Sequence, residues 1–176
     1  MVDTSTADGL SPEAAARHHV TSLRRVAQVA LKIKPVSAGE HIEDVLKWMY
    51  DLSDAVFLAG DSSLGLSLLE KTWLSATQSL SSAQATFMTP NFYNRLTETY
   101  IKKTILAAKL FAESKSNHDK VSEVLSNLEI FMTRINLGSL HKYQVENALG
   151  AVRDMCQIYI AVGNYSAATN LVSHIT

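Results

Sequence analysis

Apolar residues recur at intervals of three and four along almost the whole chain, and no stretch alternates convincingly as a half-buried strand would. Ser11-Pro12-Glu13 opens the first helix, with Ser11 placed to cap it and Pro12 at the first helical position, where a missing N–H costs nothing. Helical character continues unbroken from Ala14 to Lys34, and Pro35 ends it. A second helix, from about Glu40 to Ala59, carries Ile42, Val45 or Leu46, Met49, Leu52 and Val56 along one face. Gly60-Asp61-Ser62 stops it and caps a third helix, which holds Leu64, Leu68 or Leu69 and Trp73 and reaches about Leu80.

Ser81 to Thr89 reads as a frayed helix end and loop, after which Thr89-Pro90 starts a fourth helix reaching about Glu113. Its apolar residues, from Phe92, Tyr93 and Leu96 through Tyr100, Ile101 and Ile105 to Leu106, Leu110 and Phe111, nearly encircle its later turns, the pattern of a helix buried on several sides. A turn around Ser116 leads to the most regular helix, with Val121, Val124, Leu125, Leu128, Phe131, Met132 and Ile135 at helical spacing. Asn136-Leu137-Gly138-Ser139 ends it. A sixth helix spans Leu140 to Val162, and a seventh follows Gly163.

Six or seven helices joined by short links make an all-α chain whose sequential neighbours are antiparallel. The expected architecture is a short α-solenoid of stacked helical hairpins, with a compact six- to seven-helix bundle as the alternative. Residues 1–10 read as a flexible tail and residues 11–176 as a single all-helical domain. The last residues, Leu171-Val172-Ser173-His174-Ile175-Thr176, stay periodic without a capping glycine, whereas a terminal repeat should turn a polar face outward. That suggests the N-terminal part of a longer protein, or an end that meets a partner.

The two glycine turns resemble each other. Val56-Phe57-Leu58-Ala59-Gly60-Asp61 and Tyr159-Ile160-Ala161-Val162-Gly163-Asn164 share an apolar approach and a Gly-polar step, and a small residue, Gly65 or Ala168, follows each glycine by five positions. Tyr165 is expected to cap the groove between the last two helices, and Ala167 or Ala168 to let them approach closely. The stretch Tyr159 to Ala168 resembles tetratricopeptide turns. It is more similar still to the helical repeats that precede the PCI module in subunits of the proteasome lid, the COP9 signalosome and translation initiation factor 3. There a Tyr-x-x-x-Gly-Asn/Asp-Tyr-x-x-Ala pattern recurs, matched here by Tyr159, Gly163, Asn164, Tyr165 and Ala168. The resemblance covers about residues 150–175, the first turn departs from it at Ser62, and no winged-helix segment follows. It implies a helical-repeat subunit of a multiprotein complex.

Composition changes the picture little. Hydrophobic residues make up 47% of the 176, enough for a substantial core, and a formal charge of −1 points to no global field for nucleic acid or anionic membranes. Cys156, the single cysteine, excludes an internal disulfide and suggests a reducing compartment. The polar, acidic start resembles neither a signal nor a transit peptide, and no apolar run approaches a membrane span, so a cytoplasmic or nuclear location is expected. Charge is uneven, however. Residues 11–35 carry Arg17, Arg24, Arg25, Lys32 and Lys34 against Glu13 alone, whereas residues 36–176 hold 11 basic and 14 acidic side chains. The first helix is therefore basic and amphipathic, with Val20, Leu23, Ala27 (or Val26), Ala30 and Leu31 on its apolar face. It is expected to pack on the acidic remainder, or else to dock an acidic partner, RNA or a membrane surface.

Chemistry finds little foothold. No two of the six histidines stand three or four apart, Glu40-His41-Ile42-Glu43-Asp44 suits the first turn of a helix, and Ser67 lacks the context of a nucleophile elbow. Cys156 shares an apolar stripe with Val152 and Tyr159, as a buried thiol would. No catalytic residue, cofactor or metal ligand is assigned. The expected function is a non-catalytic interaction scaffold whose partners are other protein subunits, with Arg24, Arg25, Lys32, Tyr159, Tyr165, Leu171 and Val172 as the contact residues. Aromatic anchors such as Tyr93, Tyr100 or Tyr143 would add to them. The alternative is a small RNA-binding or nucleocapsid-like protein using the basic first helix.

Overall fold

The computed structural model describes residues 11–82, 86–113, 117–134 and 142–173, except the side chains of residues 36, 133, 134 and 142–145. The described residues form seven α-helices and no strand, so the fold is all-α. They are α1 (Pro12–Ala30), α2 (Ile42–Leu58), α3 (Ser62–Leu80), α4 (Pro90–Ala112), α5 (His118–Arg134), α6 (Lys142–Ala161) and α7 (Tyr165–Ser173). Where the sequence reads as one continuous domain, the chain falls into two compact units divided between Pro90 and Asn91. The turn around Ser116, the Asn136–Ser139 link and Ile135 lie outside the described residues.

In the first unit, Ser11 caps α1 by accepting from the Ala14 N–H at 3.3 Å, with Pro12 at the first helical position. The helix ends at Ala30, four residues short of Lys34. Pro35 forces Lys34 out of the helical region, to φ −105° and ψ 90°. The Lys71 ammonium of α3 reaches across to the Leu31 carbonyl, supplying the cation that the last turn of α1 lacks. Ala27 and Ala30 are small enough to bring α1 onto Met49, Leu52 and Val56 of α2 and Leu68 of α3, and Leu23, Leu31, Val45 and Leu64 close the edges of this core. A 3-10 segment, Pro35–His41, kinks at Gly39 and delays α2 until Ile42. From there Glu43 accepts both the backbone N–H and the hydroxyl of Thr89 while pairing with Lys47 at 2.6 Å.

The second unit packs Tyr100 of α4 on Phe131 of α5, with ring centroids 4.7 Å apart. Val121, Leu125 and Leu128 continue the buried stripe of α5, and Ala148, Ala151, Met155, Ile158 and Tyr159 form that of α6. The Tyr159 hydroxyl donates to Glu129 Oε1 at 2.7 Å, fastening α6 to α5. Burial first, then this carboxylate, pushes the phenol well above its ordinary range.

Both glycine turns have one geometry. Gly163 (φ 79°) donates to the Ile160 carbonyl and Asn164 to that of Tyr159, at 3.0 and 2.8 Å. Gly60 (φ 83°) donates to Phe57 and Asp61 to Val56, at 2.9 and 3.2 Å. This is the paired closure of a helix whose capping residue needs a positive φ. Asn164 Oδ1 then accepts from the Ala167 N–H, and Asp61 Oδ1 from the Leu64 N–H, each at 3.2 Å. Ala168 and Gly65 are both buried where the helices meet.

Candidate functional site

A groove of about 860 Å³ lies wholly in the second unit, between α4 and α6. It exists because α6 brings small residues to this face. Ala148, Gly150 and Ala151 stand opposite Ile101, Ile105 and Leu106 of α4, and a methyl placed on Gly150 would meet no atom within 4 Å. Leu106 remains 48% exposed. The floor is therefore apolar and open, the kind of surface that a covering partner desolvates favourably.

Charged side chains rim this floor. Arg95, Glu98, Lys102 and Lys109 come from α4, and Glu146, Arg153 and Asp154 from α6. Lys102 pairs with Glu98 at 2.6 Å one turn away. Lys109 crosses to Asp154 at 3.0 Å, and Arg153 approaches the other oxygen of the same carboxylate at 3.3 Å. The hydrogen bond from Lys109 holds the Asp154 carboxyl below its ordinary range; partial burial opposes this, and the charges of Lys109 and Arg153 reinforce it.

The chain matches no family model, no curated protein and no solved structure.

The contact residues expected from sequence are not gathered at this groove. Arg24 stays exposed but pairs with Asp61 at 2.9 Å, so α1 is tied to the start of α3 in part through its own cation. Arg25 on α1 and Lys32 just past its end stay exposed. Tyr159 is 2% exposed and belongs to the core, not to a partner surface. Tyr165 does not cap the groove between α6 and α7. It is 65% exposed, because as the first residue of α7 it projects from the turn, whereas Ala168 is buried at the close approach, one of the two positions expected for it. Val172 is exposed and Leu171 half-buried on α7. Of the aromatic anchors, Tyr100 is buried against Phe131 and Tyr93 is half-buried, while the side chain of Tyr143 lies outside the described residues.

The fourth helix is not buried all round either. Leu106, which lines the groove, and Leu110, which does not, are both exposed, and the surplus of apolar positions around α4 is the signal that could have located the groove. α4 carries one more apolar face than its core stripe of Leu96, Tyr100, Ala107 and Ala108 uses, and Lys102 and Lys109 border that surplus face. Elsewhere, Cys156 is half-buried, with Sγ 3.9 Å from the Ala168 carbonyl, and burial followed by the Glu129 charge raises its pKa, the opposite of an activated thiol. No helix of the described residues is long and apolar enough to cross a membrane.

Proposed function

We propose that this chain is a non-catalytic interaction scaffold of the helical-repeat kind, and that the α4–α6 groove seats a segment of another protein subunit. The observation that carries this reading is the apolar floor of Ile101, Ile105 and Leu106, left open beside Ala148, Gly150 and Ala151 inside a charged rim. From Asn91 to Lys109 the lining follows α4 for about 27 Å at the rise of an α-helix, room for several turns of a partner helix. The two equivalent glycine turns, and the resemblance of the second to tetratricopeptide and pre-PCI repeats, support membership of a multiprotein assembly in the cytoplasm or nucleus.

The test is affinity purification of the tagged full chain from its own cells, comparing wild type with Leu106→Glu and Leu58→Glu. Leu58 is an exposed leucine of the first unit and serves as the control. A stoichiometric protein partner recovered with wild type and Leu58→Glu, but lost with Leu106→Glu, supports the reading. Equal recovery with both variants places binding elsewhere, and recovery of RNA without protein favours the nucleic-acid alternative.

A further inference from the structure

α1 has a second apolar stripe that the fold does not use. Its inner side buries Ala27 and Ala30, while Val26, Val29 and Ile33 remain 45%, 61% and 37% exposed. These three follow one another by three and four residues, so they line up along the outer side. Hydrogen bonds from Lys32 to Val29 and from Ile33 to Ala30 carry the turn beyond the helix end. His18, Arg25 and Lys32, each seven residues from the next and all exposed, run along one edge of the stripe, and Lys34 follows.

This face is cationic and uncompensated. Glu13, the one acidic residue of α1, pairs with Arg17 at 3.4 Å in the first turn. Arg24 is engaged by Asp61, whereas Arg25, Lys32 and Lys34 form no ion pair among the described residues. An apolar seam edged by cations complements an apolar seam edged by carboxylates. We infer that the outer face of α1 docks an acidic amphipathic helix of another protein, at a site separate from the α4–α6 groove and beyond the reading given for it.

Two other anionic surfaces fit less well. Phosphate backbones gain nothing from Val26, Val29 and Ile33, and among the described residues no Phe, Tyr or Trp lies on this face as a stacking platform for bases. A membrane-surface helix sinks bulky aromatic or leucine side chains into the acyl boundary, but here the stripe is narrow and β-branched, and the opposite side of α1 is already held in the core.

The experiment uses the full chain and a fluorescent synthetic peptide of about 20 residues, long enough to form a helix on binding, with leucines on one face and glutamates beside them. Controls are a scrambled peptide of identical composition, single-stranded RNA, and vesicles containing phosphatidylserine. The amphipathic peptide should bind about tenfold or more tighter than its scrambled isomer, and more weakly as salt rises. Arg25→Glu/Lys32→Glu should reduce its affinity about tenfold through lost attraction and added repulsion. Val29→Asp should reduce it at least as much, with the helical circular-dichroism spectrum and melting retained. Leu106→Glu should leave it unchanged, so this site and the groove can fail separately. Absence of binding, equal binding of the scrambled peptide, indifference to the α1 variants, or stronger binding to RNA or vesicles would each overturn the inference.

Discussion

Lys109 Nζ donates to Asp154 Oδ2 at 3.0 Å, joining the last lining residue of α4 to the last lining residue of α6. The pair is half-open to solvent on the lysine side, so its stabilisation is at most about 1 kcal/mol. Its direction with pH is nonetheless defined. The folded carboxyl titrates below the unfolded one, so the stabilisation is fully present above the ordinary carboxyl pKa of about 3.9 and disappears as pH falls through the lower folded value. Wild type should therefore melt above Asp154→Asn at neutral pH, and the gap should close below about pH 4. A gap that stays constant into that range would rule out the pair as its origin.

Positive φ makes Gly60 and Gly163 sensitive to any L side chain, although a Cβ at either position would meet no atom within 4 Å. The penalty is thus one of backbone conformation alone. Gly163→Ala should cost about 1–2 kcal/mol, and Gly163→Asn less, because asparagine tolerates this region better. Chemical denaturation of the three proteins, ranked glycine, asparagine, alanine, is the check.

Gly65 is different in kind. It sits in ordinary helical conformation, but a Cβ there would stand 2.8 Å from the Phe57 ring. Gly65→Ala should destabilise the α2–α3 hairpin by displacing that ring, and adding Phe57→Leu should recover part of the loss. A double-mutant cycle with no coupling between positions 57 and 65 would contradict the contact.

Removing the hydroxyl in Tyr159→Phe leaves the Glu129 carboxylate without its 2.7 Å donor and should cost about 1–3 kcal/mol. Glu129→Gln, which keeps an acceptor, should cost less. Because the folded phenol titrates above the unfolded one, its contribution is fully present below pH about 10 and is lost as pH rises further. Alkaline unfolding followed by tyrosine absorbance should show the Tyr159 phenol, taken as the difference from Tyr159→Phe, ionising only as the protein unfolds.

Lys71→Met keeps most of the side chain's bulk but removes the donor to the Leu31 carbonyl at the end of α1. A loss of about 1–3 kcal/mol is expected, together with faster amide exchange in the last turn of α1. Unchanged exchange there would show that the lysine does not hold this terminus.

Local patterns were legible where local physics decides them. Ser11, Asp61 and Asn164 cap helices through their own side chains, Gly60 and Gly163 terminate them, and the apolar stripe from Ile42 to Val56 is buried as its spacing demands. Features that depend on distant residues were not legible. The Leu31 carbonyl just past α1 is capped by Lys71, forty residues away, and Arg24 finds its partner in Asp61. Tyr159 and Tyr165 stand six residues apart on either side of one turn; the first is buried and bonded to Glu129 of α5, while the second, opening α7, is left outside. The α4–α6 groove is the hardest case. Ala148, Gly150 and Ala151 read as good packing residues until they are set opposite Ile101 and Leu106, helices that are not neighbours in sequence.

In both hairpins a single residue, Asp61 or Asn164, closes one helix through its backbone N–H and caps the next through its side chain. The joint therefore has no slack residue. Adding or deleting one position beside it would rotate the following helix by roughly a quarter turn and carry its buried stripe off the neighbouring helix. Length variation at these joints is expected to come in steps of three or four residues, inside the helices, so the hairpin's sequence should drift far faster than its spacing.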